Sequence, residues 1–569
     1  VRYNGAMSGW AIDLGTTNTG VARWDDDAER PRLVELPRVC RKPGGEDHLQ
    51  APRLVPSATE LVARKGFWAR LSAGRVLGRL LLGGDGALIG RMALSRSEGE
   101  RRPAFVPSFK RWLARDALHV VASAGGQSWT AREVAHAFLR QLLVEVRRET
   151  GERIRDLVIT TPVDTYESYR AELQGVARRL GVRRLRFLDE PVAAALGYDL
   201  GPRAMRRVLV IDFGAGTLDV ALVALTPKGT LAGTCDVLAK EGRPIGGNDV
   251  DRWLLEEFCR RLDYPLREDD GSEEGRFWYR LMLDEARRVK EALFFADHAS
   301  FDLTPPEELR RFEAVVRGAT TELAVSRDEV MALLTERGLD DGLDGCIDGV
   351  LAQAAEHGVG QDGIDDVLLV GGSTLLPGIY ARIEARFGRD RVRAWKPFEA
   401  VAWGAATFAA GRFSQSDHIV HDYALMTYDR GTHEPRYDVI IGRGTRAPTR
   451  PDQWKQTVVP LCLRGEPEAT FKLVICELGR AWAGEDRLAH DTEGRLHRLS
   501  ATSDRPLVVP LNASNPTLGT LSPPHPPGDR TPRLELAFGV NEDRWLIATV
   551  RDLKTRRLLM KEEPVVRLL

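Results

Sequence analysis

Two short segments of the chain place aspartate, glycine and hydroxyl residues in the same order. Residues 12–22 read IDLGTTNTGVA and residues 211–221 read IDFGAGTLDVA. In each copy an Asp stands eight residues before a Val (Asp13 to Val21, Asp212 to Val220), with a Gly-containing stretch between them. Gly15, Gly214 and Gly216 let backbone N–H groups approach a phosphate with no Cβ in the way. Thr16, Thr17 and Thr217 add hydroxyls, and Asp13 and Asp212 suit hydrated Mg²⁺ held through its water shell. A third turn, Gly371-Gly372-Ser373-Thr374, follows an apolar run and suits a ribose or an α-phosphate. Together these groups fit a nucleoside triphosphate with its cation. Neither a Walker A pattern nor a G-x-G-x-x-G pattern is present, so the glycines do not come from a P-loop or a dinucleotide fold.

The elements around these residues read as strand, tight turn, strand. Trp10 and Ala11 lead into the first copy, and Val208–Val210 and Val220–Leu225 flank the second. Two such hairpins in one chain predict duplicated α/β lobes, each offering one hairpin to a shared cleft. Between them the apolar spacing predicts a helix over 131–150 with Thr130 as N-cap, a strand over 156–161 ending at Pro162, and a helix over 165–180. Further helices are predicted near 248–263, 276–296, 326–337 and 377–387, with a buried strand at 366–370. This alternation is that of an α/β fold. From about 414 the pattern changes to short alternating runs at 437–441, 456–463, 469–477, 533–540 and 544–551, which predict a β-rich domain.

The bulk properties narrow the classes. A chain of 569 residues with 43% apolar content implies several globular domains. Its 81 basic and 82 acidic residues leave no general electrostatic grip for nucleic acid or an anionic membrane. The six cysteines show no zinc spacing and read as reduced, mostly buried thiols. No run of about eighteen apolar residues and no secretory leader is apparent, so a cytoplasmic protein is expected.

The ordered motif set resembles that of the 70-kilodalton heat-shock chaperones, within the wider actin-like ATPase superfamily. The two hairpins carry the resemblance, together with residues 190–198 (EPVAAALGY), 245–251 (IGGNDVD), 368–378 (LLVGGSTLLPG) and 397–406 (PFEAVAWGAA). It spans roughly residues 9–412. It implies an actin-like fold of two duplicated lobes around a nucleotide cleft over 1–413, a linker over 414–423, and a C-terminal β-sandwich-like domain over 424–569 without a helical lid. It further implies that Lys110, Glu190, Asp219 and Thr217 are catalytic, that Asp13 and Asp212 order the Mg²⁺ waters, and that Gly246, Gly247 and Lys290 join Gly15, Thr16, Thr17, Gly214, Gly216, Gly371, Gly372 and Ser373 in holding ATP or ADP. Residues 190–198 and 397–406 resemble the family's two connecting helices, and Pro162 and Arg170 keep the spacing of its interlobe switch.

Several positions depart from the family pattern. Ala215 stands where a second glycine is usual, and an L-residue there would cost about 1–2 kcal/mol if the site needed positive φ. Leu375 replaces an arginine that stacks on the base, and Arg287 and Phe294 replace a glutamate and a serine, so weaker nucleotide binding with relaxed base preference is expected. His418 and His421 replace linker leucines and read as solvated. The expected function is a chaperone-like ATPase that hydrolyses Mg-ATP slowly and binds a peptide or protein client, with a co-chaperone or nucleotide-exchange factor as a further partner. The alternative is a nucleotide-dependent scaffold or regulator with one dedicated partner.

Overall fold

The computed structural model describes residues 9–45, 51–62, 86–97, 104–124, 127–163, 167–198, 205–228, 231–266, 272–305, 309, 322–356, 358–394, 398–419, 421–429, 432, 434–460, 462, 466–479, 487–490, 496–499, 507–512, 516–541 and 544–568. Its chain separates into two compact units, one of residues 1–165 with 172–415 and one of 166–171 with 416–569.

The larger unit contains two sheets built to one plan. In the first, the strand order is Arg184–Asp189, Asp156–Thr161, Trp10–Leu14, Asn18–Asp25, Arg30–Leu33. In the second, it is Val392–Arg393, Asp366–Val370, Arg206–Phe213, Leu218–Lys228, Leu231–Arg243. In each, two strands run parallel to the first strand on one side, and on the other side the next two continue as an antiparallel meander. The repeated motif therefore marks the same two central strands in both halves of a mixed α/β architecture, consistent with the fold that the family resemblance implies.

Period-two patterning explains how the second sheet is covered on both faces. Leu209, Ile211 and Phe213 enter a core shared with the helices Gly247–Arg261, Glu273–Ala292 and Leu339–Glu356. Val208 and Val210 turn the other way, into a core with Val158 and Leu188 of the first sheet and the helices Glu190–Gly197 and Ala400–Ala409. These two helices are the segments that resemble connecting helices, and their backbones touch. A Cβ on Gly197 would overlap the carbonyl of Ala400, and one on Gly404 would overlap the carbonyl of Ala193.

The predicted helix over 131–150 runs Ala131–Thr150 with the expected cap. The Thr130 hydroxyl accepts from the Glu133 N–H, while the Glu133 carboxylate accepts from the Thr130 N–H at 2.8 Å. The helix Leu339–Glu356 was not foreseen, because its glycines weaken the helical signal. The packing accounts for two of them: a Cβ on Gly345 would press on the Arg243 guanidinium, and one on Gly349 on the Glu241 carboxylate. Five of the six cysteines are buried.

In the smaller unit the described elements from 416 onward are strands. One four-stranded sheet has the order Pro435–Ile441, Asp422–Tyr428, Ile475–Gly479, Leu507–Pro510, and another has Trp454–Val458, Leu534–Val540, Trp545–Asp552, Leu558–Arg567. Both contribute to one core that includes Tyr423, Leu425, Ile475, Leu536, Phe538 and Leu546. The Pro-rich stretch 516–532 holds an unforeseen strand, Thr517–His525. The expectation for His421 is overturned: it is 7% exposed, with Nε2 3.4 Å from Glu477 Oε1. An imidazole beside a carboxylate inside this unit is not a solvated linker side chain. The His418 side chain lies outside what is described.

Candidate active site

In the larger unit a cleft of 890 Å³ is lined by Asp13, Gly15, Thr16, Thr17, Lys110, Glu190, Asp212, Gly214, Gly216, Thr217, Lys290, Gly371, Gly372 and Ser373. The two hairpin tips meet there, since a Cβ on Gly216 would stand 2.8 Å from the Thr16 hydroxyl. Asp13 is the penultimate residue of the strand Trp10–Leu14, and the Thr160 hydroxyl on the neighbouring strand donates to it at 2.7 Å. Asp212 sits opposite Asp219 in the second hairpin. Asp219 lies behind the cleft surface, 1% exposed, and accepts the Val163 N–H of the first lobe at 2.8 Å.

Lys110 opens the short helix Lys110–Arg115 and is anchored by its neighbour Phe109, which is fully buried against Phe138 with ring centroids 5.2 Å apart. Its Nζ donates to Glu190 Oε1 at 2.6 Å, and both side chains are at least nine-tenths buried. Glu190 is the first residue of its helix, where the N-terminal dipole favours a negative charge. The preceding residue, Asp189, accepts from Lys240 Nζ at 2.6 Å, so adjacent carboxylates pair with lysines from different lobes.

Four carboxylates thus share one buried region with Lys110. Burial pushes the Asp13 carboxyl up to about 7, with Glu190 adding repulsion and Thr160 and Lys110 opposing it. Burial and Glu190 push Asp219 up to about 8, against hydrogen bonds from Thr217 and Val163. Asp212 is raised well above the carboxylate range by burial, Glu190, Asp219 and Asp13. Among the described residues no group of three or more His, Cys, Asp or Glu has the geometry to ligate an ion directly. Asp13 and Asp212, lining the cleft beside the two tips, suit a hydrated divalent cation, whose charge would favour the ionised carboxylates through water.

Gly246 and Gly247 do not line the cleft. They buttress the second tip from behind: Gly247 N–H donates to the Gly214 carbonyl at 3.1 Å and Asn248 N–H to the Ala215 carbonyl at 2.8 Å. A Cβ on Gly246 would overlap the Ala215 carbonyl group. Ser373 Oγ donates to the Gly214 carbonyl at 2.7 Å, joining the third turn to the same tip. Ala215 is not among the residues with positive φ, so the strain expected of it does not arise.

Beyond the tips the cleft is walled by Arg287, Lys290, Phe294, Phe295 and Leu375. Lys290 is held by Asp251 at 2.6 Å and donates to the Gly247 carbonyl at 3.0 Å, and Arg287 Nε reaches the same Asp251 at 3.0 Å. Arg41, Lys42 and Arg91 line the opposite wall. Sequence reasoning missed these three; the adjacent cations of Arg41-Lys42 before Pro43-Gly44-Gly45 were the one visible signal.

A duplicated α/β unit with paired hairpins, connecting helices and a carboxylate-rich cleft defines the class of two-lobed, actin-like nucleotide-binding proteins. Comparison with known proteins narrows the class. The family model described as Hsp70 protein matches residues 88–461. The chain belongs to the Hsp70 family. It is 28% identical over 512 residues to the chaperone protein dnaK1 of Parasynechococcus marenigrum, a match covering 88% of this chain and 69% of that protein. It is also 28% identical over 333 residues to the chaperone protein DnaK of Thermus thermophilus, covering 57% of this chain and 51% of that protein. No helix among the described residues is long and apolar enough to cross a membrane.

Proposed function

We propose that the chain binds ATP with Mg²⁺ in this cleft, hydrolyses it slowly, and couples the nucleotide state to binding of an unfolded segment or protein client by its β-rich unit. The observation that carries the reading is the convergence of Asp13, Asp212, Asp219, Glu190 and Lys110 beside two glycine hairpin tips. The likeness to named chaperones supports the client-binding half of it.

Each residue has a distinct task. The tips supply backbone N–H groups and the hydroxyls of Thr16, Thr17 and Thr217 to the β- and γ-phosphates. Asp13 and Asp212 would hold the cation through water, and the cation supplies positive charge against the phosphate oxygens. Lys110 stabilises charge on the transferring phosphoryl group, where such groups contribute about 3–4 kcal/mol. Glu190 fixes the Lys110 ammonium and orients the attacking water, while Asp219, behind the cleft surface, supports Asp212 and the second tip and holds the Val163 N–H. Phe294 and Leu375 offer the base an apolar wall with few hydrogen-bond partners, which fits a tolerant base preference.

Calorimetry with ATP and ADP, with and without Mg²⁺, tests binding, and phosphate release tests turnover. Varied unfolded peptides are expected to stimulate that release. Stimulation by one co-purifying protein alone would instead favour a regulator with a dedicated partner, and no magnesium-dependent nucleotide uptake by the folded chain would end the reading.

A further inference from the structure

One end of the cleft carries a charge pattern that a 5′-triphosphate at the hairpin tips does not use. Arg41, Lys42 and Arg91 line the first-lobe wall there, and Arg287, Lys290 and Glu291 stand opposite on the helix Glu273–Ala292. Asp251, behind that helix wall, pairs with both Arg287 and Lys290. The first-lobe cations are held differently. Arg41 is tethered through Nε to Asn18 Oδ1 at 2.8 Å, and Arg91 donates to the carbonyls of Cys40 at 3.1 Å and Pro37 at 2.8 Å. Among the described residues none of Arg41, Lys42 and Arg91 forms an ion pair with a carboxylate.

The tether matters for what Arg41 can bind. Holding a guanidinium by Nε leaves its terminal nitrogens as a planar fork, the arrangement that meets phosphate with two parallel hydrogen bonds. Glu291 and Arg287 are the charged groups that act on that guanidinium from across the cleft. Arg287 is held on its own side by Asp251 at 3.0 Å and Asp284 at 3.4 Å, so Arg41 faces it as a like charge across the cleft, and an anion in the gap would relieve that repulsion. Position fits as well: Asn18 follows Thr17, so Arg41 stands just outside the first tip, where a nucleoside leaving the tips for Lys290, Phe294 and Leu375 would pass. The 890 Å³ volume lies near the upper end of the roughly 300–1,000 Å³ usual for small-molecule sites, which leaves room for a further group.

We propose that this cleft is built for a nucleotide that carries an additional phosphate on its ribose, with Arg41, Lys42 and Arg287 gathered around that phosphate. The inference rests on the nucleotide reading above and adds the class of nucleotide. Among the described residues Arg41, Lys42 and Arg91 have no carboxylate partner for a plain ADP or ATP to complement, whereas a ribose phosphate would bring negative charge to them and tie the two walls together.

The test is titration calorimetry on the full chain with ADP, with ADP bearing a 3′-phosphate, and with ADP bearing a 2′-phosphate. One ribose-phosphorylated form is expected to bind at least about tenfold tighter than ADP, with the advantage shrinking as salt rises. In the double variant Arg41→Ala with Lys42→Ala that ratio should fall towards about one, while Arg41→Lys should keep part of it. Thermal melts in saturating Mg-ADP check that the variants are folded. Equal affinities for all three ligands, with ADP binding intact, overturn the inference and leave the nucleotide reading standing. A ratio untouched by the double variant also overturns it. Binding of none of the three removes both.

Discussion

Three buried aspartates and Glu190 compete for the positive charge that Lys110 supplies inside the cleft. Replacing Lys110 by Ala, or Asp212 by Asn, should lower phosphate release by more than about tenfold in single-turnover measurements; wild-type turnover in both variants would remove them from the chemistry. The same crowding sets a pH dependence. A carboxyl whose folded pKa is raised keeps a proton that the unfolded chain has already lost. Its cost is absent below the ordinary carboxylate value and grows as pH climbs towards about 7 for Asp13 and about 8 for Asp219. The nucleotide-free protein should therefore melt at falling temperature from about pH 5 to about pH 8, and Mg-ADP should flatten that slope. A profile indifferent to both pH and Mg-ADP would contradict it. Asp13 and Asp212 were legible in the sequence because the motif occurs twice. Lys110, Glu190 and Asp219 were legible only through a family resemblance, since Lys110 and Glu190 lie 80 residues apart and Asp219 has no counterpart in the first copy of the motif. Arg41, Lys42 and Arg91 were not legible, because only folding brings them opposite Arg287.

Among the elements, the crossing of Glu190–Gly197 with Ala400–Ala409 is the one with least freedom to change. No side chain separates the backbones at Gly197 and Gly404, so a methyl group there must push the helices apart. Overpacking of this kind costs about 3 kcal/mol, and Gly404→Ala should lower the urea midpoint accordingly; an unchanged midpoint would mean that the helices sit farther apart. Periodicity gave the helix Ala131–Thr150 with its cap, and the strands Asp156–Thr161, Asp366–Val370, Leu534–Val540 and Trp545–Asp552, because an apolar stripe and a capping box are local signals. It named none of Arg184–Asp189, Leu231–Arg243, Asp422–Tyr428 and Leu558–Arg567, and it missed Leu339–Glu356 and Thr517–His525. In Leu339–Glu356, glycines serve the packing of Glu241 and Arg243; in Thr517–His525, prolines obscure a strand.

At the level of the whole molecule, the repeated strand order is what turns two weak glycine motifs into one site. The sequence showed the two echoes and the later change to β-structure, but not the ion pair by which the lobes grip each other. Lys240 and Asp189 are each about 4% exposed and 2.6 Å apart. Removing one partner of a buried pair typically costs about 3–5 kcal/mol, while replacing both by apolar residues is often close to neutral. Lys240→Met should therefore destabilise the chain strongly, and Lys240→Met with Asp189→Leu should recover much of the loss in equilibrium denaturation. Additive losses would argue that the two residues act apart. The bare contact of the connecting helices has a mechanical consequence. A crossing without side-chain cushioning lets two bodies turn about it but not slide past one another. Any turning of the lobes about that crossing would change how far Arg41 stands from Arg287 across the cleft.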